Sequence, residues 1–502
     1  MKEQKTSSHG KKESIFNRGA MIKKRTTDKH KKTESTKSGE LETGRFGALF
    51  PSLPTYEPTN AAIKAVAQIM KENSEEPEQD SQIPLAFAFL GQFIDHDLTL
   101  EPVSRFDDRL DPMALINFRT PALDLDSVYG SNPDVSRHLY DTYGFDKDGA
   151  ENEQPGREHR LPFRLLIGNY KDSIDLQRNR QGTAIIGDPR NDENLFISQL
   201  HRMIIGFHNE VVKAVMEANK DNPLSNKDLY DEVRKEVTLH YHWIIIHEFL
   251  PLIIGEDMTK EILENGRKFY KDLKEKRPFI PVEFSGAAYR FGHTLIRAEY
   301  NLNAAISKLG LFKSPFFGIC PGGDCDKFKG IDKKYNLDWS YFLAFENNTN
   351  NLQFCRKIDS SVALPLFNLP FIDAQQDAPV SLPERNMRRG RTLMLPSGQA
   401  IAEAMGLTPI SNNDLDLEGI DGLHDEAPLW YYILKESEIQ TGGKHLGSIG
   451  GRIVGEVLIG IIETTQEVLY PEASIDWKPK YGKNESFTLK DLVSFKFKKN
   501  EA

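Results

Sequence analysis

The stretch Leu85-Ala-Phe-Ala-Phe-Leu-Gly-Gln-Phe-Ile-Asp-His-Asp-Leu98 constrains the chain most, because it sets ionisable residues inside an apolar run. Leu85, Phe89, Gln92 and His96 recur at helical spacing and so share one face. Asp95 flanks that face, and Asp97 is turned by about 100° from His96. One short helix can therefore aim Gln92 and His96 into one cavity and Asp97 into another. Burying such groups among Phe, Leu and Ile is costly unless each is paired, hydrogen-bonded or metal-bound. His96 taken alone reads as a satisfied core histidine. A functional reading needs partners from elsewhere in the chain.

With 502 residues, 39% of them hydrophobic, the chain can bury a large core or form two or three lobes. Its net charge of −10 argues against nucleic acid as the main partner. No transmembrane segment is expected, since no apolar run approaches the roughly 20 residues a membrane helix needs. The most apolar segment, 450–469, contains Arg452, Glu456 and Glu463 and reads as a buried amphipathic helix. Three cysteines cannot build a disulfide framework, and Cys320 and Cys325, in a Pro-Gly-Gly loop, read as free thiols. The first 45 residues carry 13 Lys/Arg against 6 Asp/Glu and little apolar content. They read as a disordered basic arm ahead of one domain over 46–502. The arm lacks the apolar core of a secretory signal, so a cytoplasmic or non-classically secreted location is expected.

Helical periodicity predicts helices over 60–72, 85–98, 193–220, 226–249, 282–296, 397–405, 428–437 and 450–469. The one over 226–249 is expected to end at Leu250-Pro251. Residues 72–82 read as an acidic linker, and 146–160 as a surface excursion. Strand patterns are few and short, so the fold class is mainly α.

Several further segments carry chemistry. Gly187-Asp-Pro-Arg190-Asn-Asp-Glu193 opens a helix, with the acid where the helix dipole favours it. Phe291-Gly-His293-Thr places a histidine in an apolar setting after a glycine that allows close approach to the backbone. Leu382-Pro-Glu-Arg-Asn386-Met-Arg-Arg389-Gly-Arg391 reads as a cationic loop, and its arginines suit an anionic ligand. Thr120-Pro-Ala122-Leu-Asp124-Leu-Asp126-Ser-Val-Tyr-Gly offers oxygen donors at alternating positions, as a calcium loop does, without the EF-hand pattern. His201 and His208 lack the i, i+4 spacing of a zinc helix and read as capping or packing residues. Two distant histidines, an arginine, a glutamine and a cationic segment together point to a haem: one neutral His on the iron, the other as an acid–base group, and arginines on the propionates.

These segments, in this order, resemble the animal haem peroxidase family of the peroxidase–cyclooxygenase superfamily, in its bacterial-type branch. The similarity runs from about Phe46 to about Phe497. It rests on Gly-Gln-Phe-Ile-Asp-His96-Asp97, the Asp-rich loop ending Val-Tyr-Gly-Ser, Arg190-x-x-Glu193, Arg290-Phe-Gly-His293-Thr and Asn386-x-x-Arg389. The resemblance implies a helical domain with haem b buried between central helices and very little β. It implies that His96, with Gln92 and Arg190, is the distal catalytic group, and that His293 is the iron ligand with Asn386 accepting from its other ring nitrogen. Arg290 and Arg389 would neighbour the haem, and Asp97, Thr120, the Ala122 carbonyl, Asp124 and Asp126 would bind calcium. Hydrogen peroxide would be reduced through a ferryl intermediate at the expense of phenols or halides. Asp95 and Glu193 stand where family members form ester links to the haem, so such links are expected here. A sulfonium link needs a Met after the Glu, and Asn194 excludes it.

Two alternatives follow from the same residues. A fatty-acid dioxygenase of the superfamily would place a radical Tyr three residues before the proximal His, where this chain has Arg290, with Tyr289 one residue off. Tyr241-His-Trp243 lies far from His293 in sequence and reads as a false match to such a motif. A non-catalytic haem-binding or adhesion module would not need His96, Arg190 and His293 together.

Overall fold

The computed structural model describes residues 44–72, 80–100, 117–141, 162–168, 174–271, 278–313, 331–345, 350–372, 379–473 and 477–496. The basic arm up to residue 43, the whole 146–160 excursion, and Cys320 and Cys325 lie outside them. Cys355 is buried and free.

Among the described residues the chain is mainly helical. Its helices are α1 (Asn60–Ile69), α2 (Ala86–Leu98), α3 (Asp126–Tyr129), α4 (Leu195–Ala218), α5 (Asn226–Ile244), α6 (Leu250–Ile254), α7 (Glu256–Asn265), α8 (Val282–Gly286), α9 (Leu382–Thr392), α10 (Gly398–Ala404), α11 (Leu429–Thr441), α12 (Ser448–Leu469) and α13 (Leu489–Ser494). Strands are short and pair in twos: β1 (Phe46–Gly47) with β3 (Ile280–Pro281), β2 (Asp80–Pro84) with β6 (Phe354–Arg356), and β4 (Glu299–Tyr300) with β5 (Leu309–Gly310). The expected linker over 72–82 thus runs into a strand at Asp80.

The central helix α2 is buried along most of its length and packs on α4, with the Phe89 and Phe196 rings stacked at 4.2 Å. Phe93 meets Tyr241 of α5 edge-on at 6.0 Å. Offset and edge contacts of this kind suit the ring quadrupoles and hold α2 between its two long neighbours.

Three elements differ from the sequence expectation. Helix α5 does not stop at Leu250-Pro251. It widens into a π turn over Ile245–Phe249 and resumes as α6, with Pro251 in the first turn, where its missing N–H is not needed. By length and composition the whole run Asn226–Ile254 could cross a membrane, but most of its apolar stretch is buried inside the protein. The helix expected over 282–296 is split into α8 and a 3-10 turn over Ala288–His293. A Cβ on Gly286 would lie 2.8 Å from Leu393 Cδ1, so a side chain there would push the end of Leu393 aside. The arginine-rich segment 382–391 is not a loop but the amphipathic helix α9, with a proline in its first turn.

Candidate active site

The last turn of α2 presents its polar groups in separate directions. Gln92 is gripped from the start of α4: its Nε2 donates to Glu193 Oε1, and its Oε1 accepts from Asn194 Nδ2 at 3.1 Å. Asn194 also caps α4 by accepting from the Phe196 and Ile197 amides. Asp95 takes a hydrogen bond from Thr99 Oγ1 at 3.2 Å.

His96 is buried. Its Nδ1 lies 2.8 Å from Asn191 Oδ1, and its Nε2 lies 3.9 Å from Glu193 Oε1, beyond hydrogen-bond reach. An amide oxygen only accepts, so the His96 proton is on Nδ1 and the Nε2 lone pair is bare. The same Asn191 turns its Nδ2 to His201 Nδ1 at 3.0 Å. Burial, then the nearby Arg190 charge, lowers the His96 pKa to about 4, so the ring is neutral at pH 7. Burial raises Glu193 to about 7.

Arg190 lies in a 3-10 turn, Pro189–Asp192, whose N-cap Asp188 accepts from the Arg190 amide at 2.9 Å. Its Nη2 donates to the His96 carbonyl at 2.9 Å and to Asp188 Oδ2 at 2.8 Å, and its Nε also reaches Asp188. The Nη1 edge makes no hydrogen bond to a described residue. Asp188 is fully buried and also holds Arg119 Nη2. Burial raises its pKa, but the two guanidinium groups outweigh burial and hold it well below the usual carboxylate range. Asp188 and Arg119 carry no motif, and only the packing makes them part of the site.

Arg119 reaches on to Asp126 Oδ1 at 3.1 Å, in the expected calcium loop. The structure brings Asp97, Thr120, Ala122, Asp124 and Asp126 together there, each engaged with a protein group. Asp97 accepts from the Leu125 amide (3.1 Å) and Ser127 Oγ (3.0 Å), Asp124 pairs with Arg234 at 3.1 Å, and Thr120 Oγ1 donates to Asp126 at 3.2 Å. The Ala122 carbonyl accepts from Thr465 at 2.6 Å. His242, of the false-match segment, donates to the Leu123 carbonyl at 2.9 Å. Leu123 and Leu125 both have positive φ (49° and 58°), a strained backbone that these anchors hold in place. Burial, then the Asp126 and Asp124 carboxylates, raises Asp97 to about 8. Among the described residues no three Asp, Glu, His or Cys side chains already converge as a metal shell. As arranged, the donors are hard oxygens whose charge is countered by Arg119 and Arg234.

His293 ends the 3-10 turn after α8, with its Nδ1 2.8 Å from Asn386 Nδ2 on α9. The contact is the expected one, but its polarity is reversed: Asn386 donates instead of accepting. Arg290 is the reason. Its Nη1 donates to Asn386 Oδ1 at 3.2 Å, and a guanidinium has no acceptor to offer in exchange. Its Nε donates to the Ser285 carbonyl at 2.9 Å. Burial, then the nearby Arg389 charge, lowers Arg290 to about 10, and two neighbouring guanidinium groups suit an anionic ligand. His293 Nε2 makes no hydrogen bond to a described residue, and a Cβ on Gly292 would meet nothing within 4 Å. Open space beside a neutral imidazole and a pair of arginines fits a haem with its propionates. Iron on Nε2 needs the ring proton on Nδ1, so the Asn386 amide would have to turn over and release Arg290.

The profile of the animal haem peroxidase family matches residues 101–314. Peroxidasin homolog pxn-2 of Caenorhabditis elegans is 28% identical over 196 residues, which cover 37% of this chain and 14% of that protein. Eosinophil peroxidase of Homo sapiens is 28% identical over 215 residues, covering 40% of this chain and 28% of that protein. The chain therefore spans well under two thirds of the length of these curated relatives. Among solved structures, peroxidase A from Dictyostelium discoideum aligns with a TM-score of 0.58 at 14% identity, covering 86% of this chain and 89% of that one. A fatty acid alpha-dioxygenase of Arabidopsis thaliana aligns with a TM-score of 0.56 at 18% identity, covering 88% and 76%. These two structures share the fold of this chain. Residues 101–314 are thus similar to the animal haem peroxidase family, and the curated relatives matched are peroxidases.

Proposed function

We propose that the chain is a peroxidase that uses hydrogen peroxide to oxidise small donors, phenols or halides. The observation that carries this reading is the bare His96 Nε2 beside the Arg190 guanidinium, both held from behind by Asn191 and Asp188. Haem, bound through His293, would supply the redox centre that takes up the oxidising equivalents of peroxide. The chain's own residues move the proton and stabilise charge. His96 Nε2 takes a proton from one peroxide oxygen and returns it to the other, which leaves as water. Arg190 presents its Nη1 edge to the oxygen on which negative charge grows. Asn386, once turned, would accept from His293 Nδ1 and so orient the ring. The test is haem titration followed by peroxide-dependent oxidation of a phenol and of bromide, iodide and thiocyanate. A Soret band without turnover of any donor would instead support a haem-binding module.

The pH dependence follows from His96. Its folded pKa of about 4 lies below the unfolded value near 6.5, so the base form persists well into acid. The rate of the peroxide reaction is expected to stay level from pH 7 down to about pH 5 and to fall as His96 protonates near pH 4. Stopped-flow mixing across this range checks it. A limb at pH 6 to 7 would show that another group is the base.

Asp95 and Glu193 are proposed as the ester-forming carboxylates: Glu193 bonds Gln92 and lies 3.9 Å from His96, and Asp95 directly precedes His96 in the chain. After peroxide treatment, acid–butanone extraction is expected to leave haem on the chain. Fully extractable haem would end this proposal.

Calcium at the 120–126 loop is a separate proposal, supported by the buried oxygen-only donors and the three neighbouring carboxylates of Asp97, Asp124 and Asp126. Arg119 would have to leave Asp126 to admit the ion. Metal analysis is expected to find calcium bound, and chelation to lower the melting temperature. A calcium-free chain with an unchanged melt would leave Arg119 and Arg234 as the counter-ions of the loop.

A dioxygenase reading draws on the fold shared with the plant enzymes. The Tyr289 hydroxyl, its candidate radical site, instead donates to the Gly91 carbonyl at 3.2 Å. No oxygen uptake with palmitate is expected.

A further inference from the structure

We propose that Asn191 and His201 form a positioning relay that keeps the His96 proton on Nδ1 and so leaves Nε2 bare as the proton acceptor. The catalytic consequence rests on the peroxidase reading, whereas the coupling of the two rings does not.

Asn191 stands between two imidazoles, with Oδ1 2.8 Å from His96 Nδ1 and Nδ2 3.0 Å from His201 Nδ1. All three residues are buried, so water does not compete for these bonds. One amide offers an acceptor on one side and a donor on the other. The two Nδ1 atoms therefore cannot both carry protons, nor both lack them. With one proton on each neutral ring, the orientation of the amide decides which nitrogen carries it. The tautomers are then complementary: Nδ1–H on His96 and Nε2–H on His201. With the amide reversed, His96 would carry its proton on Nε2 and have no lone pair for peroxide.

His201 Nε2 is buried with no hydrogen-bond partner among the described residues, and the ring lies edge-on to Phe93 at 6.0 Å. A polar ring left half-satisfied in an apolar wall is explained by the bond it makes on its other side. The charged groups around His201 are Asp188 and Arg119. Those around His96 are Arg190, Asp95 and Asp188, with the Glu193 carboxyl at 3.9 Å.

The test uses the full chain carrying 15N-labelled histidine. Long-range 1H–15N correlation is expected to show His96 as the Nδ1–H tautomer and His201 as Nε2–H. In His201→Phe the His96 signals spread over both tautomers. In His201→Gln, whose side-chain oxygen can accept from Asn191 Nδ2, the single Nδ1–H form returns. In the ferric haem-loaded protein the rate of cyanide combination, which also needs a base, falls about tenfold at pH 7 in His201→Phe. It is restored in His201→Gln. Asn191→Asp gives a second reading if the phenylalanine variant does not fold. Its carboxylate accepts from both rings, so the His201 proton moves to Nδ1. Unchanged tautomers and cyanide rates in His201→Phe, or unmoved rings in Asn191→Asp, overturn the relay. A wild-type chain that takes up no haem overturns the peroxidase reading, while the tautomer measurement still decides the relay.

Discussion

Replacing His96 with alanine is expected to slow the reaction of the haem-loaded chain with peroxide by about 10²–10⁴-fold, the range that a positioned general base contributes. The Soret band should survive, because the iron would be held by His293 on a different element. Residual reaction is expected from Arg190, whose grip on Asp188 does not depend on the His96 side chain. The Arg190 bond to residue 96 uses the backbone carbonyl, which alanine keeps. The measurement is the second-order rate constant by stopped flow at pH 7. A variant that keeps the wild-type rate would remove His96 from the mechanism.

The second large effect is expected at Asp188. This buried carboxylate joins Arg119 to Arg190, and through Arg119 it reaches Asp126 in the acidic loop. Asp188→Ala leaves two arginines short of a partner, and breaking a buried pair in this way costs about 3–5 kcal/mol. The loss should appear as a lower urea midpoint, with a slower peroxide reaction because Arg190 loses its support. The pH dependence has a definite sign. The folded pKa lies below the unfolded value near 3.9, so the stabilisation is fully present above that value. It fades as the pH falls below about 4. A variant as stable as wild type at pH 7, with an unchanged peroxide rate, would show that the bridge is incidental.

Parts of this architecture are legible in the residue pattern alone. The apolar periods of 85–98 and 193–220 correspond to α2 and α4, since a helix that packs between others must repeat its apolar residues every three to four positions. Helix α9 reads as a loop only when its arginines are weighed as charge and nothing else. Arginine is a good helix former, and Leu-Pro-Glu after Ser381 is a helix start. The break between α8 and the 3-10 turn that carries His293 is not read from the helical periodicity of 282–296. Asn191 stands in view between Arg190 and Glu193, yet nothing local says that its amide meets two histidines.

What the sequence determined by itself is the set of chemical groups and the local frames that carry them. His96 and Gln92 on one face of α2, the capped start of α4 after Glu193, and the Asp-rich loop are all consequences of helix geometry and residue type. The tertiary structure alone decided the hydrogen-bond polarity and the charge balance of the site. Asn191 leaves His96 Nε2 bare, Arg290 turns Asn386 the opposite way from expectation, and Asp188 binds two arginines from separate segments. A hydrogen bond has a direction only when both partners and their other neighbours are known. Those neighbours come from parts of the chain that meet only on folding.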